Sequence, residues 1–179
     1  MDIYMPIFTD KAPEDVFWFR PVAPRAGEPI DWEDVVWLGN GFSIEEDGVD
    51  CYLAHFLERF FDADLPANQG REAYGQGFEW NLTHNFYTYA TLDAMQREIV
   101  QTARQLSTGA DCAALRVLKQ RFAVYHPCFR AGAEASSAQR EMRRQHIAGI
   151  VDFYDRFVDQ LCRTMQRHPE TDLISIVGP

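Results

Sequence analysis

Apolar residues recur at helical spacing in four stretches of the chain. From Val49 to Phe61, positions Val49, Tyr52, Leu53, Phe56, Leu57, Phe60 and Phe61 share one face, which predicts an amphipathic helix with a broad buried stripe. Ser43 and Glu46 stand at capping-box spacing ahead of it, Gly48 blurs its start, and Leu65-Pro66 supplies a stop. A second helix is expected after Thr91, read as its N-cap, with Leu92, Met95, Ile99, Ala103 and Leu106 inward and Gly109 just past its end. A third covers Ala113–Val124, turns Leu115, Leu118 and Phe122 inward, and closes at His126-Pro127. The longest runs from about Ala138 to Arg167. Ser136 and Gln139 have capping-box spacing at its entrance, and Ile147, Ile150, Val151, Tyr154, Phe157, Val158, Leu161 and Met165 form its stripe.

The β candidates are shorter. Val16–Phe19 and Leu173–Val177, rich in aromatic or branched residues, read as strands. Asp31–Leu38 reads equally as a short helix capped by Asp31 or as a strand entering a turn at Gly39-Asn40-Gly41. Phe78–Tyr89 carries five aromatics behind Gly70, Gly75 and Gly77 and reads as a long ordered loop or a weak hairpin. No repeat, low-complexity tract or dividing linker interrupts residues 1–179. The expected fold is mainly α: a single compact helical domain with four principal helices and a few short β segments.

Composition sharpens this through charge. The chain has 179 residues, 46% of them hydrophobic, and 27 acids against 17 bases for a net charge of −10. Residues 1–90 hold 17 acids and 5 bases, a net −12, whereas residues 91–179 hold 10 acids and 12 bases, a net +2. That balance argues against nonspecific binding to nucleic acid or to an anionic membrane surface. No stretch approaches the roughly 18 apolar residues of a membrane span. The first residues lack the basic and apolar runs of a secretory signal, and the four cysteines include no Cys-x-x-Cys pair. Reduced thiols and a cytoplasmic location are the expectation.

The acidic half concentrates its charge in Asp31, Glu33 and Asp34, beside Trp32, and in Glu45, Glu46, Asp47 and Asp50. Acidic groups steer a basic partner, and neighbouring aromatics such as Trp80 and Tyr87 supply anchors. The candidate partner-binding set is therefore Asp31, Trp32, Glu33, Asp34, Glu45, Glu46, Asp47, Asp50, Trp80 and Tyr87. It suits a non-catalytic cytosolic interaction protein, with an immunity-type neutraliser of a basic bacterial partner as one concrete form.

The alternatives are a small enzyme or ligand- or metal-binding protein using the Gly/aromatic segment and His84, and a structural homo-oligomer packed through the long helix. Cys51, His55, Glu58 and Asp62 fall along one side of the first helix and are residue types that ligate metals, yet helical periodicity aligns polar residues on any amphipathic helix. No metal, cofactor or catalytic residue is assigned from these patterns. Arg140, Arg143 and Arg144 crowd the start of the long helix, where positive charge is unfavourable, and are expected to find intramolecular or subunit ion pairs.

Overall fold

The two strands expected from the sequence form the centre of a six-stranded antiparallel sheet. The computed structural model describes residues 8–9, 15–23, 27, 30, 35–69, 77–80, 83–110, 113–130 and 136–179. Its strands are β1 (Phe8–Thr9), β2 (Val16–Ala23), β3 (Val36–Trp37), β4 (Phe42–Glu45), β5 (His84–Thr88) and β6 (Leu173–Val177). They follow the order β1-β4-β2-β6-β5, with β3 also paired to β2. β4 takes the first half of one edge of β2, where Phe19 pairs with Phe42, and β3 takes the end, where Val22 pairs with Trp37. The chain crosses between them at Gly41. A Cβ there would lie 1.6 Å from the Phe19 carbonyl oxygen, so the close approach of the two backbones requires glycine.

This sheet corrects the mainly α expectation: the fold is mixed α and β, with helices packed on an antiparallel sheet. The largest single departure is Phe78–Tyr89. Its residues His84–Thr88 are not a loop or a local hairpin but strand β5, which pairs with β6 some ninety residues onward, as in Asn85 opposite Ile176. Sequence-local signals do not carry such a partner. Of Asp31–Leu38, Val36–Trp37 is a strand, and residues 31–34 lie outside the described residues.

The helices agree more closely with their patterns. Glu46–Phe60 is helical throughout, as α1 (Glu46–Gly48), a π-helical turn (Val49–Leu53) and α2 (Ala54–Phe60). Ser43 does not cap it; Ser43 is buried in β4 and Glu45 takes extended backbone angles. α3 (Tyr89–Thr108) starts directly from β5. Its cap is Thr88, whose Oγ1 accepts the Thr91 N–H at 3.1 Å, so Thr91 is the capped residue and not the cap. Gly109 ends it at φ 68°. α4 (Ala113–Tyr125) and α5 (Ser137–Arg167) follow, and the Ser136/Gln139 capping box forms in both directions.

One face of the sheet meets these helices in a core that includes Phe17, Phe19, Phe42, Ile44, Tyr87, Ile174 and Ile176 from the strands, with Phe56, Ile99, Leu106, Phe153 and Phe157 from the helices. Phe157 closes on Phe19 and Phe42, which stack at 4.8 Å. Part of the opposite face is covered by a smaller cluster of Val22, Leu65, Ala67, Phe86 and Leu173, against which Ile30 and Val35 pack. The outer edge of β5 is plugged by Asn68, which donates to the Phe86 carbonyl at 3.0 Å and accepts the Phe86 N–H at 2.9 Å. No helix among the described residues is long and apolar enough to cross a membrane.

Candidate functional site

Of the residues singled out for charge, Glu45, Glu46 and Asp47 lie at one end of the sheet. β2 opens at Val16, opposite Glu45, and β4 runs straight into the helix that begins at Glu46. Asp15 adopts φ 67°, a left-handed conformation that aspartate tolerates better than most residues, and its carbonyl accepts the Glu46 N–H at 3.0 Å. Asp15, Glu46 and Asp47 are exposed and Glu45 is half-buried. Trp80 belongs to the same end: its ring meets Phe17 edge-on at 5.4 Å and Phe78 at 5.1 Å, and it is partly buried against the main core. Four carboxylates and one anchored indole therefore stand at the same end of β2, where a strand starts, a strand ends and a helix begins.

Asp50 departs from that picture. It lies in the π-helical turn, where its carboxylate accepts from the Tyr125 hydroxyl and from Arg121 at 3.3 Å. Arg121 also reaches Glu58 at 2.9 Å, so this part of the acidic run is neutralised from α4. Burial, and then Asp50, raise the Tyr125 hydroxyl well above its usual pKa. Tyr87, offered as a surface anchor, is a core residue: it is 1% exposed and donates its hydroxyl to the Leu57 carbonyl at 2.7 Å. Asp31, Trp32, Glu33 and Asp34 lie outside the described residues.

The helix constellation Cys51, His55, Glu58 and Asp62 does not converge. Cys51 is buried, and burial pushes its thiol up to about 12, so it stays protonated at neutral pH. His55 lies edge-on to Phe56, Glu58 faces Arg121, and Asp62 accepts the Asp64 N–H. Among the described residues, no group of three or more His, Cys, Asp or Glu could hold a metal ion.

Two histidines that looked ordinary in the sequence form a buried pair. His126 ends α4 at 4% exposure and His146 lies on α5 at 7%, with their rings 4.3 Å apart. The Tyr52 hydroxyl is 2.7 Å from His126 Nε2, and the Tyr52 carbonyl accepts from Tyr154 at 2.9 Å. Burial, reinforced by the neighbouring imidazole, pulls His126 down to about 4, and burial lowers His146 as well. The pair is a neutral joint between the π-helical turn, α4 and α5. Arg143 completes the joint by donating twice to the Cys128 carbonyl, at 3.0 and 2.8 Å. Arg144 pairs with Glu141, and all three arginines line a groove with Leu106–Gly109, the C-terminal turn of α3. The partial negative charge of that turn offsets the unfavourable position of these cations on α5.

His84 lies on the sheet face away from the helices. Its Nδ1 is 2.7 Å from Ser175 Oγ, a spacing a nucleophile and its base would also show, but Ser175 is fully buried and out of reach of a substrate carbonyl. The His84 ring instead stacks on Phe86 at 5.7 Å and meets Trp37 edge-on at 5.6 Å. Trp37 in turn lies against Arg20, whose guanidinium carbon is 4.1 Å from the Trp37 centroid and 4.1 Å from that of Trp18. Nothing in the sequence reading marked Arg20. The strand expected from the sequence stops at Phe19, one residue short of Arg20, and the second indole comes from another strand.

No protein-family model matches the chain, and searches of curated proteins and of solved structures likewise find no match.

Proposed function

We propose that the chain is a non-catalytic, cytoplasmic protein-interaction protein that recognises a basic partner through the acidic end of its sheet, in the manner of an immunity-type neutraliser. The observation that carries this reading is the gathering of Asp15, Glu45, Glu46 and Asp47 on the same sheet end as the partly buried Trp80. Exposed carboxylates on a rigid backbone accelerate encounter with a cationic surface, and an indole already held by Phe17 and Phe78 loses little freedom when a partner covers it. The grooves on the described surface, such as that between Asp93, Arg97, Arg104 and Val158, are open and mixed in charge, which suits contact with a protein more than enclosure of a metabolite.

The experiment is an association measurement against a panel of basic toxin domains at several salt concentrations. A partner is expected whose on-rate falls with salt and falls again in the double variant Glu46→Gln/Asp47→Asn, while Trp80→Ala costs about 2 kcal/mol of affinity or more, mainly through faster dissociation. Folded protein that binds no cationic domain at low salt, or binds one with no response to salt or to these substitutions, would overturn the reading.

A further inference from the structure

Among the described residues, the cation of the Trp18–Arg20–Trp37 stack on the far face of the sheet has no counter-charge. Among the described residues Arg20 makes no ion pair and no side-chain hydrogen bond, and its Nε is enclosed without a partner. Interior and half-buried arginines normally resolve this by pairing with a carboxylate, because the fork of N–H donors is costly to leave unmatched. Here both faces of the guanidinium are occupied by indoles, and the residue is only half-buried. What remains open is the edge of the guanidinium plane, where its terminal nitrogens point.

We propose that this stack is a clamp for a side-chain carboxylate presented by a protein partner. The geometry selects the ligand. A slot bounded above and below by two aromatic faces admits a planar group lying coplanar with the guanidinium, and a carboxylate accepts two parallel N–H bonds in that plane. A tetrahedral phosphate would direct oxygens out of the plane and against the negative faces of the indoles. The clamp is also pre-set. Trp18 and Arg20 are two residues apart on β2 and share a face, Trp37 is delivered by the pairing of Val22 with Trp37, and His84 fixes the Trp37 ring from β5. It lies on the surface and not in an enclosed cavity, so the carboxylate of a glutamate or aspartate on another protein is the fitting source. This clamp stands independently of the acidic end: it takes the opposite charge and uses none of the residues of that end.

The test uses the full chain labelled with 15N, following the indole N–H signals of Trp18 and Trp37 and the Arg20 Nε–H during titration at constant ionic strength. The probes are a capped Ala-Glu-Ala tripeptide, its Ala-Gln-Ala counterpart and inorganic phosphate. The glutamate peptide is expected to shift all three signals saturably, the glutamine peptide not at all, and phosphate more weakly than the glutamate peptide. Arg20→Lys keeps the charge but loses the planar fork, and is expected to weaken the glutamate peptide by about tenfold or more. Arg20→Met keeps the packing and is expected to abolish the response in a protein whose amide spectrum is otherwise unchanged. The clamp is refuted if the glutamate peptide gives no saturable shift, if glutamine or phosphate matches it, or if Arg20→Lys and Arg20→Met bind as the parent does.

Discussion

The two faces of the sheet are written by the same strands and hold opposite chemistries. Toward the helices, Phe17, Phe19, Phe42, Ile44, Ile174 and Ile176 enter a continuous apolar core. Away from them, Trp18 and Arg20 from β2, Ser175 from β6 and His84 from β5 form a stack of rings and one cation. The period of two along each strand produces this separation, since neighbours point to opposite sides. Aromatic residues therefore do two jobs here. On the covered face they fill volume, and on the other they shield and orient a charge.

The sharpest way to break the comparison is to remove one ring from the covered face. Phe157→Ala should cost about 3–5 kcal/mol, because Phe157 is fully buried between Phe19, Phe42 and Phe153 and a rigid cavity would replace it. A denaturant midpoint that falls accordingly with an unchanged slope would confirm it. A loss below 1 kcal/mol would mean the two faces do not differ in packing as described.

Acid should act next, through the helix layer. His126 and His146 are held below their unfolded values, so the unfolded chain takes up their protons first as pH drops. The contribution of the pair is complete above the unfolded histidine value of about 6.5 and is lost as pH falls from there toward about 4, the folded value of His126. Thermal midpoints measured across that window should decline with a slope that His126→Asn flattens. An identical slope in the variant would remove the pair from the account.

The smallest effect is expected at the Arg20 stack. Trp37→Leu removes one side of the Arg20 stack and should cost about 0.5–2 kcal/mol, the range for a cation over an aromatic ring from exposed to desolvated sites. A cost equal to that of Phe157→Ala would show that Trp37 is core and not platform.

What was legible in advance follows the same division. Helical periodicity located four helices because each needs only its own residues, and the Ser136/Gln139 box and Gly109 marked their ends because caps are local. The clustering of acid at Glu45–Asp47 was visible as composition, but its meeting with Asp15 and Trp80 depended on strand pairing. The same run looked uniform in sequence and is divided in three dimensions: Glu46 and Asp47 face solvent while Asp50 is held by Tyr125 and Arg121, more than seventy residues away.

The sequence by itself determined the helices, the two central strands and a charge distribution weighted to the first half, because propensity, capping and composition act over a few residues. Tertiary structure alone decided that Phe78–Tyr89 contains strand β5, that Tyr87 is core, that His126 meets His146, and that Arg20 lies between two indoles. Each of those depends on which distant segments pair across the sheet or pack between helices. Pairing is a choice among long-range partners of similar local character, and burial of the whole core selects among them.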